Sequence, residues 1–250
     1  MSGRSVSFDR IADRYDETRG GERRGQLIAA EMEPYLAGAA RVLEVGVGTG
    51  IMAAALGRLG RAVVGVDISG EMLSRAHDRL GSRVARADGH ALPMPAASID
   101  ATYLVWVLHL VAEPTVVVAE CARALAPGGR LLVVAGHPRI ERAEDMTPHH
   151  NALNALRKSR RDTAEAIAQW ATAAGLERVV YRELEETFHQ APAEYADVLE
   201  TRTFSFVWDL DDRTWNEVVQ PVIEGLRALP DSARPREVVF RRDLLVFERS

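Results

Sequence analysis

One segment constrains this chain more than any other: Val42-Leu43-Glu44-Val45-Gly46-Val47-Gly48-Thr49-Gly50. A short apolar run suited to a buried strand leads into three glycines spaced by two, and Ile51 to Leu59 continues as a helix pattern closed by Gly60. Glycines at such a junction let the backbone turn sharply and approach a ligand, while free N–H groups at the helix start favour an anionic group such as a carboxylate. Asp67 lies twenty-one residues after Gly46, at the end of the next strand pattern, Ala62 to Val66. An acidic side chain there can accept hydrogen bonds from both hydroxyls of a ribose. Together the two features point to an adenosine-containing ligand.

The same alternation governs the first half of the chain. Gln26 to Leu36 reads as a helix, Arg41 to Val45 as a strand, and Glu71 to Leu80 as a helix N-capped by Ser69, with Met72 or Leu73, Ala76 and Leu80 on one face. Arg83 to Ala87 and Ile99 to Val105 are further strands. Thr115 to Leu125 is a helix with the stripe Val117, Cys121, Ala124 and Leu125, stopped by Ala126-Pro127-Gly128-Gly129 before a strand at Arg130 to Ala135. Five strands alternating with helices specify an α/β fold with a doubly wound, Rossmann-like, mostly parallel sheet. Strands at Val179 to Phe188 and Val238 to Glu248 bring the expected sheet to seven, its C-terminal strand antiparallel. Pro138 to Pro148 reads as a loop and Thr163 to Ala174 as a helix. The expected organisation is one domain: an N-terminal helical segment over 1–34, a core over 35–189 and 237–250, and a small helical cap insertion over 190–236. That insertion, with helical patterns near Glu194 to Leu199 and Asp212 to Leu229, is too long for a hairpin turn.

Composition removes several function classes. Against 36 acidic residues stand 31 basic ones, a net charge of −5, which disfavours broad nucleic-acid binding. The chain is 47% hydrophobic and 27% charged, so disorder is not its main state. Cys121 is the single cysteine, which excludes an intramolecular disulfide and a thiolate-rich metal site; no metal is expected. The N-terminal residues carry charges throughout and lack the apolar stretch of a signal peptide or membrane span, so a cytoplasmic protein without a membrane partner is the expectation. The basic run Arg157-Lys158-Ser159-Arg160-Arg161 reads as a solvated helix start.

Pyrophosphate ligands are disfavoured, because the last glycine of G-x-G-x-x-G is replaced by Ile51 and no G-x-x-x-x-G-K-[ST] lysine follows. The Glu44 to Gly50 segment instead resembles the E/D-x-G-x-G-x-G motif of the class I S-adenosylmethionine-dependent methyltransferases. The likeness extends over roughly residues 35 to 136. Asp67 matches the family's ribose-binding acid and Ile68 the position flanking the adenine. Ala87-Asp88-Gly89-His90-Ala91-Leu92-Pro93-Met94 is similar to A-D-[GA]-x-x-L-P-[FM], Ile99 through Leu110 to the fourth-strand motif, and Arg123-Ala124-Leu125-Ala126-Pro127-Gly128-Gly129 to R-x-L-x-P-G-G. Phe8 to Asp16 resembles the F-D-x-x-A-x-x-Y-D start of this group. The resemblance implies S-adenosylmethionine as cofactor and S-adenosylhomocysteine as product, with contacts from Tyr15, Glu44, Gly46, Val47, Gly48, Gly50, Asp67, Ile68, Met72, Ala87, Asp88, Gly89 and Val105.

It also implies methyl transfer by in-line displacement to a small-molecule acceptor at oxygen, nitrogen or carbon. Positioning supplies much of the rate, and a general base is needed only where the acceptor must lose a proton early. His109 is the candidate base, and Tyr15, Trp106, His109, His137, Tyr195 and Trp208 are candidate acceptor contacts. The D/N-P-P-Y signature of amino-methylating enzymes and a Pro-Cys nucleophile are both absent. The Y-D-x-M-N-x-x-x-S-x-G-x-x-R stretch of quinone C-methyltransferases is not matched by Tyr15 to Arg19, which speaks against a quinone acceptor. Two other readings remain open at this point: a binding protein that has lost turnover, and an NAD(P)-dependent oxidoreductase on the same core. The sequence leaves the oligomeric state open.

Overall fold

The computed structural model describes residues 16, 21–154, 156, 162–202, 204–208 and 210–250. Tyr15, most of the Phe8 to Asp16 start and the Arg157 to Arg161 run lie outside the described residues. The chain divides into two compact units. The first comprises Met1–His137, Arg161–Leu184 and Arg242–Ser250, the second Pro138–Arg160 and Glu185–Arg241.

In the first unit the elements follow the order α1 (Gly21–Met32), β1 (Val42–Val45), α2 (Ile51–Arg58), β2 (Val63–Asp67), α3 (Gly70–Leu80), β3 (Val84–Arg86), β4 (Ile99–Val105), α4 (Pro114–Ala124) and β5 (Leu125–Val134). After the excursion into the second unit come α6 (Ala164–Ala173) and the long strands β7 (Leu176–Gln190) and β8 (Arg236–Arg249), each of which has one half in either unit. The strand order is β3-β2-β1-β4-β5-β8, with β7 also pairing β8. All of the β1 to β5 pairings are parallel, and β8 runs antiparallel to β5, with Leu132 opposite Val246. From β1 the chain builds outward to β2 and β3 on one side, then returns to place β4 and β5 on the other. The crevice outside the ends of β1 and β4 is therefore the topological switch point, where open α/β sheets bind ligands.

Alternation along the strands feeds two apolar layers. Leu131 and Val133 of β5 face α4 and α6 through Val117, Val118, Cys121 and Ile167. Leu132 and Val134 face the opposite side with Ile28, Met32, Leu56 and Leu80. Cys121 belongs to this packing, and burial pushes its thiol up to about 12. The Ser69 cap is present, its Oγ accepting the Met72 N–H at 3.2 Å, and Met72, Ala76 and Leu80 form the buried face of α3. The Ala126 to Gly129 turn does not precede β5 but lies within it as an irregularity. Ile99 pairs with Leu125, and the ladder resumes at Ala101 with Arg130.

The second unit corrects the expected loop at Pro138 to Pro148. It contains β6 (Arg139–Arg142), a 3₁₀ turn (Glu144–Met146) and the start of α5 (Thr147–Asn154). β6 is an eighth strand beyond the seven expected, antiparallel to the outer half of β8 with Arg139 opposite Arg241. The expected insertion supplies α7 (Pro192–Glu200), α8 (Asp212–Thr214), a π-helical turn (Trp215–Val219) and α9 (Gln220–Ala228). Their core gathers Met146, Leu153, Tyr195, Leu199, Ile223 and Leu226. Among the described residues no helix is long and apolar enough to cross a membrane.

Candidate active site

The turn after β1 is built on left-handed backbone. Gly46 has φ +78°, and a β-carbon there would stand 2.5 Å from Cγ2 of Val107. Both the conformation and the space require glycine. The amides of Gly46 and Val47 donate to the Val66 carbonyl at 2.8 and 3.0 Å, which anchors the turn to β2. From the end of β2, Asp67 accepts the Gly48 N–H at 2.8 Å on Oδ2 and the Ser69 N–H at 2.9 Å on Oδ1.

A cavity of about 280 Å³ opens beside these groups. Gly46, Gly48, Asp67, Ile68, Met72, Ala87, Asp88, Gly89 and Val105 all line it, together with Trp106 and Val117. Asp88 accepts both the backbone N–H of His90 at 2.9 Å and a contact from its ring Nδ1 at 2.7 Å, and these bonds hold the carboxyl below its usual range. The loop bearing Asp88 is braced from outside the cavity. Arg123, paired with Glu120 at 2.8 Å, donates to the carbonyls of Met94 and Leu92, while Glu120 accepts the Leu92 N–H.

A smaller cavity of about 60 Å³ adjoins the glycine turn, lined by Asp16, Glu44, Val47, Thr49 and Trp106 among others. Glu44 is buried, and desolvation raises its carboxyl to about 8 despite the hydrogen bond that Tyr103 donates at 2.9 Å. Asp16 joins the turn through Thr49, whose hydroxyl donates to it at 2.6 Å, and through Arg79, which reaches both Asp16 and the Thr49 carbonyl. Gly50 lines neither cavity. It is the left-handed N-cap of α2 and lies against Ala76 and Leu80 of α3.

At the end of β4, Trp106 adopts φ +59°, a costly conformation for a bulky residue, while its N–H continues the ladder to the Val134 carbonyl. Two buried guanidinium groups flank its ring, Arg242 at 5.0 Å and Arg24 at 6.0 Å. Three residues further on, His109 meets His137 edge to face at 4.6 Å between ring centroids. Both histidines turn Nδ1 toward Asp162, at 3.7 Å for His109 and 3.2 Å for His137. The Asp162 side chain is 1% exposed, and its Oδ2 accepts the Gly136 N–H at 2.6 Å. Burial alone would raise this carboxyl, but the His137 hydrogen bond, the His109 charge and the Gly136 amide together hold it below its ordinary value.

Residues 43–133 match the methyltransferase domain family. Over that segment the chain is similar to a methyltransferase domain. S-adenosylmethionine is the cofactor of that family, and the residues present fit it: a carboxylate at the end of β2, a glycine turn without side chains at Gly46 and Gly48, and a cavity with apolar walls. The chain is 40% identical over 139 residues to the ubiquinone/menaquinone biosynthesis C-methyltransferase UbiE of Syntrophotalea carbinolica, a match spanning 51% of this chain and 58% of that protein. It thus spans about three-fifths of the length of the curated relatives it matches. Among solved structures it resembles a putative methyltransferase from Bacillus halodurans, with TM-score 0.58, 17% identity, and 88% and 97% of the two chains covered. It also resembles the [4+2]-cyclase SpnF, with TM-score 0.59, 19% identity, and 98% and 94% covered. At these identities the structural likeness concerns the fold.

The first unit thus brings together most residues that the motifs singled out, along with several that they did not. Arg24, Arg79, Asp162 and Arg242 carry no local motif, and only the tertiary structure brings them to the site. Tyr195 and Trp208 belong to the second unit. Tyr195 is 1% exposed in that unit's core beneath the Arg142 guanidinium, and the Trp208 indole donates to the Arg202 carbonyl.

Proposed function

We propose that the protein transfers a methyl group from S-adenosylmethionine to a small-molecule acceptor at oxygen, nitrogen or carbon. The observation that carries this reading is the Asp67 carboxylate fixed against the glycine turn at the switch point, within the segment that matches the methyltransferase family. Asp67 would hold the ribose hydroxyls, Ile68, Met72, Ala87, Asp88 and Gly89 the adenine side, and Gly46, Val47 and Gly48 with Glu44, Val105 and Tyr15 the amino-acid side. When bound, the cofactor supplies a methyl group already activated by its positive sulfur. The chain's own work is then to orient the acceptor and exclude water. Trp106, His109 and His137, which follow adjacent strands, are the acceptor contacts of this reading.

Calorimetric titration of the full chain with S-adenosylmethionine, with NADH in parallel, tests it. Micromolar binding of the first and none of the second is the expected result. Binding of NADH alone would overturn the reading, and binding of the methyl donor without turnover on any acceptor would favour a protein that retains the nucleotide and has lost the reaction.

A further inference from the structure

The smaller cavity is bounded on one side by a contact between two helices. Gly25 of α1 and Ile51, the first residue of α2, both line it, and Gly25 is buried. A β-carbon on Gly25 would stand 2.3 Å from Cγ2 of Ile51, so only glycine lets the helices come this close. Neither side of the contact yields easily. α1 is held by Ile28, Ala29 and Met32, which share a buried core with Met52 and Leu56 of α2, and a β-branched side chain in a helix keeps one strongly preferred rotamer. Ile51 also stands where the dinucleotide motif G-x-G-x-x-G has its last glycine, which in that motif permits close helix packing. Here the side chain fills the space, and the glycine that permits close packing sits on the neighbouring helix. At about 60 Å³ the cavity has room for about four to six water-sized groups. An ammonium, an α-carbon and a carboxylate together are of that size, whereas a diphosphate is bulkier and carries several negative charges. Among the described residues that line the cavity none is basic.

We infer that Gly25 and Ile51 are a specificity-determining pair, whose contact limits this side of the glycine turn to a compact amino-acid end and excludes a 5′-diphosphate. The inference rests on the methyltransferase reading above and adds to it the residues that set the size. An adenosine in the larger cavity is the same group whichever end its 5′ carbon bears, so the choice between ends falls to the smaller cavity. A zwitterionic amino-acid end is neutral as a whole and needs no basic wall. A diphosphate would have to displace Ile51 from a contact that α1 holds shut, and would meet no counter-charge on the cavity wall.

Three ligands that share the adenosine and differ at the 5′ position test it by calorimetry on the full chain. They are 5′-methylthioadenosine, which has no polar end, S-adenosylhomocysteine, which has the amino-acid end, and ADP. The wild type is expected to bind S-adenosylhomocysteine most tightly and ADP least. Gly25→Ala should weaken S-adenosylhomocysteine about tenfold and leave methylthioadenosine unchanged, because the added methyl group drives the Ile51 side chain into the cavity. Adding Ile51→Ala to that variant should restore the loss. Ile51→Ala alone should bring ADP to within a few-fold of methylthioadenosine, and this arm carries the test if Gly25→Ala does not fold. Equal effects of Gly25→Ala on the two thioethers would reduce the pair to packing and overturn the inference. So would wild-type binding of ADP as tight as that of S-adenosylhomocysteine, or an ADP affinity that Ile51→Ala leaves unchanged. Each of those outcomes leaves the function reading standing, whereas a wild type that binds neither thioether removes that reading and the inference with it.

Discussion

Gly48 donates its backbone N–H to Oδ2 of Asp67 at 2.8 Å, so the turn after β1 and the end of β2 are tied by one short bond. A carboxylate offers about four lone-pair sites. The Gly48 and Ser69 amides take one on each oxygen, so one carboxylate shapes both the turn after β1 and the start of the segment after β2.

Asp67→Ala should consequently weaken S-adenosylmethionine binding by about 10- to 100-fold, the range for losing hydrogen bonds to a charged group. Calorimetry measures it directly. Unchanged affinity would remove Asp67 from the cofactor site.

Glu44 gives stability a pH dependence of defined sign. In the fold it stays protonated to about 8, whereas its ordinary value is 4.5. The unfolded chain therefore releases this proton first as pH rises, and the contribution falls between those two values and is level above them. Urea melts across that range should show Glu44→Gln losing part of the wild-type slope, up to tenfold in the unfolding constant per pH unit. Parallel curves for the two proteins would assign the slope elsewhere.

Arg79→Met should loosen the glycine turn from behind. It removes the 2.6 Å pair with Asp16 and the bond to the Thr49 carbonyl, both about a quarter exposed at the side chains. After allowance for solvent screening the expected loss is about 1 kcal/mol in a chemical melt, with a several-fold rise in cofactor Kd. A variant matching the wild type in both measurements would show that the turn stands without this brace.

Gly136→Ala should cost about 1–3 kcal/mol, because the new methyl group enters the space of the His109 ring. In a His109→Ala background the same change should be nearly neutral. Equal penalties in the two backgrounds, read from a double-mutant cycle of thermal melts, would place the clash elsewhere.

The parallel core was legible because its signals are local: apolar runs, three glycines, a capping serine and a proline-glycine stop each act over a few residues. Ser69 caps α3 as read, and β4 keeps the bounds Ile99–Val105. β6 was illegible because Arg139-Ile140-Glu141-Arg142 is short and polar, and its strand character comes from pairing with residues about a hundred positions later in β8. Asp162 and Arg79 escaped for a similar reason. A lone charged residue in a polar stretch gains meaning only from the groups that folding brings to it.

The bond between His137 and Asp162 also joins the places at which the chain first leaves the first unit and first re-enters it. The excursion between them is thus a loop stapled at its base, and the entropy of closing a loop rises only slowly with its length. Segments of different length and composition could be grafted between these two residues while the staple and the sheet behind it stay as they are. A chain built this way can vary the inserted segment without rebuilding the parallel sheet of the first unit.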